Sequence, residues 1–316
     1  MYLNLSINAY RNKKYAAFLN TCREQKASVE NIIALGYSLM RKYKLHHHFF
    51  EDYSLWSTSK CLADHVLKNI EDFKPPFLTE AIAKDIIVLF EKRIAQRIPV
   101  EYITNEASYL GFTYYVNEHV LVPRSIMNTR FEEFLKLISW ENNRVLDLCC
   151  GSGCIGLTLA LLEPKIKVDL ADISPQALEV TQINIDRHGL NTRAHCVESN
   201  VFESLNNKYD LIITNPPYVS MSEYQNSADE FKAEPKIALE AGSDGLVIIH
   251  KILAQAKQYL NPNGLLIAEI GFSAAKLVKK HYPHIPFQWF KYKKPNGSTS
   301  FFSMHGVFLC RACDLP

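Results

Sequence analysis

Val145-Leu146-Asp147-Leu148-Cys149-Cys150-Gly151-Ser152-Gly153-Cys154-Ile155-Gly156 decides the fold class of this chain. An apolar strand runs into a glycine loop, and the loop opens directly into the helical stretch IGLTLALLE. Strands and helices then alternate: KVDLAD, PQALEVTQINIDRHG, LIITN, GLLIAEIG and GVFLCR. Apolar strands alternating with helices predict an α/β fold, a parallel Rossmann-like sheet covered on both faces. Ligands of such sheets bind outside the carboxyl ends of the strands, where the strand order reverses. The candidate residues below all fall at such ends.

Gly151, Gly153 and Gly156 form a G-x-G-x-x-G, which alone would pass for a dinucleotide loop. Asp172 ends the next strand, 21 residues after Gly151, where a carboxylate can bind the two hydroxyls of a ribose. Nicotinamide enzymes and S-adenosylmethionine enzymes both use that device. Asp147, four residues before Gly151, separates them by charge: it would repel a pyrophosphate but can receive the ammonium of the methionine part of S-adenosyl-L-methionine. Each residue also has a plain structural reading. Gly153 can serve helix and sheet packing, and Asp172 before Ser174-Pro175 can belong to a helix cap.

Asn215-Pro216-Pro217-Tyr218 follows the apolar Leu211-Ile212-Ile213 and sits at the mouth of a later strand. The Asn215 side-chain oxygen and a backbone carbonyl freed by the prolines offer two acceptors to the two donors of a conjugated NH2 group. Tyr218 can cover the flat face of that group. Held in this way, the nitrogen is open to attack only along its lone pair, which suits methylation of an amide or an exocyclic amine. The plain reading of the same residues is a Pro-Pro turn that ends a strand.

Residues 1–107 read as a helical substrate-recognition domain, with apolar residues at helical spacing in Tyr15, Phe18, Leu19 and Cys22, in Ile32, Ile33, Leu35 and Leu39, and in Ile82, Ile86, Ile87 and Phe90. Pro75-Pro76 interrupts this region, and its last helix is expected to run through Arg97 until Pro99. Residues 108–123 read as a connecting β-hairpin, YLGFTYYV and HVLV split at Asn117-Glu118, and residues 124–316 as the catalytic domain.

A formal net charge of +2 over 316 residues does not describe a protein held on nucleic acid by bulk charge. Neither a membrane span nor a leader is indicated, so a cytoplasmic location is expected. The eight cysteines, with Cys149, Cys150 and Cys154 in one loop, read as reduced thiols. Cys310 and Cys313 have no second pair to complete a zinc site, and His46-His47-His48 reads as a loop, so no metal is expected.

The set VLDLCCGSGCIG, ADISPQAL, TNPPYV and EPKIALEAGSDGL resembles the protein glutamine N5-methyltransferases, which modify release factors and one large-subunit ribosomal protein. The similarity is strong from about Arg97 to Gly271. It implies a Rossmann-like S-adenosylmethionine-dependent methyltransferase sheet, cofactor positions at Gly151, Gly153 and Asp172, and an amide-holding role for Asn215, Pro216, Pro217 and Tyr218. The stretch LVPRSIMNT, with Arg124-Ser125-Ile126, the segment Asp229 to Pro235 and the run Ala241 to Leu246 resemble the branch acting on ribosomal protein number three of the large subunit.

Two departures stand out. Asn200, beside Val201 in Ser199-Asn200-Val201-Phe202, replaces a carboxylate that could accept from the adenine amine, and an amide oxygen can still accept one hydrogen bond. STSFFSMH after Gly297 looks like an insertion in the last hairpin. The resemblance implies N5-methylation of a protein glutamine, on ribosomal protein before assembly and with no direct nucleic acid required, with Arg93, Arg97 and Arg124 as candidate substrate contacts. Methylation of a release factor, N6-methylation of adenine in DNA, or a non-catalytic ribosome-assembly scaffold are the alternatives.

Overall fold

The computed structural model describes residues 2–45, 55–70, 77–137, 143–290 and 306–316, with side chains from residue 11 onward. His46 to His48, Pro75-Pro76 and the insertion at 298–305 lie outside the described residues. The chain divides into two compact units, residues 1–105 with 228–233, and residues 106–227 with 234–316.

The first unit is built on helices α1 (Tyr2–Arg23), α2 (Val29–Lys42), α3 (Leu55–Leu67), α4 (Glu80–Ala95) and the short α5 (Val100–Thr104). Ser28 starts α2 with a capping box, its side chain accepting from the Asn31 amide while Asn31 accepts from the Ser28 amide. Thr79 caps α4 with its side chain, which accepts from the Ile82 amide. The apolar faces expected from spacing do bury: Tyr15, Cys22, Ile32, Ile33, Leu39, Ile86, Ile87 and Phe90 share one core, and Phe18, Leu19, Leu35 and Ile82 pack against it. α4 ends at Ala95, before the expected limit at Arg97, because Arg97 takes a left-handed backbone conformation with φ 58°.

The second unit opens with an antiparallel hairpin of β1 (Glu106–Tyr109) and β2 (Phe112–Tyr115). Its turn is at Leu110 and Gly111, with φ of 50° and 83°, so the expected split at Asn117-Glu118 is corrected. Two successive positive φ values match the twist of a two-residue hairpin turn. HVLV forms no strand: Val120 and Val122 are buried in an irregular segment, and the Val122 amide donates to the Glu234 carboxylate at 3.1 Å instead of to a ladder. The hairpin is fastened to the rest of this unit by Asn184, fully buried, which accepts from the Tyr115 amide at 2.6 Å and donates to the Tyr115 carbonyl at 3.0 Å. A second bond from the same amide group reaches the Ser152 carbonyl at 2.9 Å.

After α6 (Phe131–Leu135) come β3 (Arg144–Leu148), α7 (Cys154–Leu162), β4 (Lys167–Asp172), α8 (Pro175–Arg187), β5 (Ala194–Glu198) and β6 (Tyr209–Thr214). Two short helices, α9 (Met221–Gln225) and α10 (Asp229–Lys232), precede α11 (Val247–Tyr259), β7 (Leu260–Ile270), α12 (Phe272–His281), β8 (Gln288–Phe290) and β9 (Gly306–Arg311). The seven-stranded sheet has the order β5-β4-β3-β6-β7-β9-β8, with β9 antiparallel to both neighbours and the other pairings parallel. This is a Rossmann-like α/β architecture with one antiparallel strand near the sheet edge. From β3 the chain winds outward through β4 to β5, then returns to β6 on the other side, which puts the switch point between β3 and β6.

Candidate active site

A cavity of about 190 Å³ opens at the carboxyl ends of β3, β4 and β6, where the topology calls for one. Gly151, Asp172, Asn200, Val201, Asn215 and Arg124 line it, together with Pro217 and Ser125. Asp147, Gly153, Pro216 and Tyr218 lie outside its wall.

The glycine loop is held from beneath. Cys149, Gly151 and Gly153 all have positive φ, and a Cβ on Gly151 would meet nothing within 4 Å, so its backbone faces open space. Asp172 Oδ2 accepts the Gly151 N–H at 2.9 Å and its Oδ1 accepts the Ser174 N–H at 3.0 Å. Asp172 therefore braces the loop and the turn into α8, whose N-cap is Ser174, while it lines the cavity, and each oxygen keeps a second lone pair. Burial pushes this carboxyl up, against the pull of the Ser174, Gly151 and Ile173 amides.

Asp147 sits under the loop. Its Oδ2 accepts the Gly156 N–H at 2.8 Å, its Oδ1 is buried without a hydrogen-bond partner, and burial pushes the carboxyl up to about 8. A Cβ at Gly156 would stand 2.7 Å from the Asp147 Cβ, so the third glycine serves this contact.

Asn200 and Val201 project at the end of β5. The Ser199 hydroxyl fixes this bend by donating to the Val201 carbonyl at 2.9 Å and accepting the Ser204 amide at 3.0 Å. The Asn200 amide group donates to Glu203 at 2.7 Å, which leaves its oxygen as the acceptor. Asn215 lines the cavity one residue beyond β6, and its Oδ1 is buried with no hydrogen-bond partner. A buried acceptor left in this state costs about 1–3 kcal/mol, which a ligand donor would recover.

Of the three arginines, Arg124 alone lines the cavity, and its Nη1 donates to Glu234 at 2.8 Å. Arg93 and Arg97 belong to the helical unit, where both pair with the buried Glu230, and Arg97 also donates to the Tyr43 carbonyl at 2.9 Å. Burial pushes the Cys149 and Cys150 thiols up, so they stay protonated near the loop. All eight cysteines are free, and no metal-holding cluster occurs among the described residues.

Residue-by-residue reading missed Glu269 and Asn184. Glu269 is 2 % exposed at the carboxyl end of β7. The signal was present: an acidic residue inside the apolar GLLIAEIG is seldom buried without partners. Its Oε2 accepts from Ser125 Oγ at 2.5 Å and its Oε1 from the Tyr218 hydroxyl at 3.3 Å.

Comparison with known proteins adds a name to this geometry. The methyltransferase small domain matches residues 131–247. Among solved structures, a methyltransferase from Pyrococcus furiosus is 16% identical with a TM-score of 0.45, covering 72% of this chain and 98% of that one. The T. thermophilus 16S rRNA N2 G1207 methyltransferase, solved with AdoMet and guanosine, is 18% identical with a TM-score of 0.43, covering 65% and 49%. The ribosomal protein uL3 glutamine methyltransferases of Neisseria meningitidis serogroups A and B are each 36% identical over 232 residues, 71% of this chain and 76% of the relative. By that identity over most of both chains, this chain belongs to the family of ribosomal protein uL3 glutamine methyltransferases.

Proposed function

We propose that this chain transfers a methyl group from S-adenosylmethionine to the side-chain nitrogen of a glutamine in ribosomal protein uL3, on newly made protein in the cytoplasm before assembly. The observation that carries the reading is the buried, unpartnered Asn215 Oδ1 in the wall of a cavity at the switch point. A primary amide is the ligand group that answers it, because it brings two N–H donors in one plane.

The residues present fit the cofactor. Gly151 leaves open space beside its backbone, Asp172 has lone pairs for a ribose, and Asn200 and Val201 supply an acceptor and an apolar side at the end of β5. Asp147 lies beneath, and once ionised its carboxylate acts on the methionine ammonium by charge. When bound, S-adenosylmethionine supplies an electrophilic methyl on a cationic sulfonium and leaves as the neutral thioether, while the amide nitrogen gives up one proton to water.

The protein's share is orientation. Asn215 Oδ1 accepts one amide N–H, which turns the nitrogen lone pair toward the methyl, whereas the Pro216 carbonyl, expected to accept the other, lies outside the cavity wall. Alignment of two bound reactants can supply about 7–11 kcal/mol of a barrier, so no general base is assigned. Arg124, held by Glu234 beside the cavity, is the polar contact for the substrate backbone. The helical unit, residues 1–105 with 228–233, serves substrate recognition, and Arg93 and Arg97 support it internally through Glu230.

Mass spectrometry of ribosomal protein uL3 and of release factors, from cells with and without this chain, tests the reading. The expected result is loss of one methyl increment from a uL3 glutamine. Loss from a release-factor glutamine alone would move the substrate and keep the chemistry. Loss of adenine methylation in DNA with neither protein changed would overturn the glutamine reading.

A further inference from the structure

Glu269 joins two loops that build the cavity. It stands next to last in β7, the strand beside β6, with Ala268 and Ile270 on either side in the apolar core. Along a strand, neighbours face opposite ways, so the carboxylate leaves that core for the other face. There Ser125 donates to Oε2 at 2.5 Å and Tyr218 to Oε1 at 3.3 Å. Ser125 lines the cavity, whereas Tyr218 closes the Asn215 to Tyr218 loop.

Both hydroxyls donate, so the carboxylate bridges Ser125 and Tyr218 as a shared acceptor. Ser125 is further ordered by the Met127 amide, which donates to its Oγ at 3.2 Å. The Tyr218 ring has little room to leave. A Cβ on Gly271 would stand 2.9 Å from its Cδ2, and one on Gly245 would stand 2.4 Å from the Tyr218 carbonyl oxygen. Neither Tyr218 nor Glu269 lines the cavity, which leaves Asn215 and Pro217 as the parts of this loop that meet a ligand there.

Building on the reading of Asn215 as the amide acceptor, we propose that Glu269 is a positioning residue for methyl transfer: its carboxylate clamps Ser125 and Tyr218 together, and the clamp fixes Asn215 in the plane of the substrate amide. A protonated Glu269 would bond these hydroxyls without its negative charge, and a hydrogen bond to an ionised carboxylate is about twice as strong as one between neutral groups. The clamp therefore loosens when this carboxyl takes up a proton.

Burial pushes the Glu269 carboxyl up to about 7, against the pull of the Ser125 and Tyr218 hydroxyls. The titratable groups around it are Tyr109 of β1, Cys154 at the start of α7 and Tyr218, with Arg124 and Glu234 acting on Tyr218 and Asp147 acting on Tyr109 and Cys154. Burial pushes both phenols up, and the Cys154 thiol up to about 12, so these three stay neutral across the physiological range. Arg124 is paired with Glu234. Asp147, pushed up to about 8, is the other carboxyl that titrates nearby. Substituting Glu269 separates the two.

The test uses the full chain as parent, Glu269→Gln, Tyr218→Phe and the double variant. S-adenosylhomocysteine affinity is read by calorimetry, and methyl transfer onto isolated uL3 is followed in single turnovers from about pH 6 to 9. Glu269→Gln should bind S-adenosylhomocysteine within about twofold of the parent and transfer at least about tenfold more slowly at saturating uL3, with little change in KM. The fall in parental rate below about pH 7 should be absent from this variant. The double variant should be no more than about threefold slower than the slower single variant, because both changes open one clamp.

Parental rate with the acid limb kept, fully additive losses, or loss of S-adenosylhomocysteine binding in Glu269→Gln would each overturn the positioning role while the glutamine reading stands. A parent that binds the cofactor product yet methylates no glutamine would overturn both.

Discussion

The Thr214 hydroxyl donates to the Leu148 carbonyl at 2.6 Å, tying the last residue of β6 to the last residue of β3 at the switch point. The two loops that follow, Asn215 to Tyr218 and Cys149 to Gly153, are thereby fixed relative to each other on a buried base. A cofactor on one loop and an amide on the other would meet at a set distance, which is the condition for transfer by alignment.

Asn215→Ala removes the amide acceptor and leaves that base intact. Its single-turnover methyl transfer should fall by more than about tenfold, or 1.4 kcal/mol of barrier. Circular dichroism and thermal melting should match the parent, since the Asn215 oxygen has no partner to lose in the free protein. A folded variant at parental rate would remove Asn215 from the reaction.

Asp172→Asn addresses the cofactor side. The amide keeps one acceptor for the glycine loop but loses the charge and one oxygen, so a ribose finds a poorer site. S-adenosylhomocysteine affinity by calorimetry should weaken by about tenfold or more, with NAD bound by neither protein. Unchanged affinity would leave Asp172 as a brace of the glycine loop and of the Ser174 turn alone.

What was legible in the sequence follows from the range of the forces involved. Asp172, Asn215 and the glycines of 151–156 are set by local chain direction at strand ends, and periodicity places those ends directly. The hairpin turn was misplaced because Asn117-Glu118 is the stronger turn signal on paper, whereas Leu110 accepts a positive φ beside Gly111. HVLV is rich in β-branched residues yet pairs with no strand, since the distant Glu234 takes the Val122 amide. β5 was passed over because its Ala-His-Cys-Val-Glu carries little apolar signal at the sheet edge. Glu269 finds its partners 51 and 144 residues away, at Tyr218 and Ser125, and no spacing rule reaches that far.

Asp147→Asn should change stability with a defined pH signature. An Asp carboxyl is near 3.8 when unfolded, and burial pushes Asp147 up to about 8 in the folded chain. Folding therefore takes up a proton between those values, and the parent loses stability as pH rises through that window. The Asn variant has no such loss, so its advantage in Tm should grow from about pH 5 to pH 9. The same variant should bind S-adenosylhomocysteine more weakly than the parent above about pH 8, where the parent's Asp147 is ionised, because the charge opposite the ammonium is gone. A Tm difference that is flat with pH would show that Asp147 does not change protonation on folding.

Gly271→Ala probes the seat of Tyr218 without touching the cavity wall. Gly271 has φ −66° and ψ 164°, a conformation open to alanine, so the added methyl brings no backbone strain. It does bring a Cβ to 2.9 Å from Tyr218 Cδ2 and 3.1 Å from Cε2, and the ring must shift. That shift moves the hydroxyl away from Glu269 and carries the end of the Asn215 loop with it. Methyl transfer should fall by about three- to tenfold, equivalent to roughly 0.7–1.4 kcal/mol of barrier. S-adenosylhomocysteine affinity should stay within about twofold of the parent, as the glycine loop and Asp172 are unaffected. Transfer at the parental rate would mean that the position of Tyr218 has no part in catalysis, and equal losses in affinity and rate would place the disturbance in the cofactor site instead.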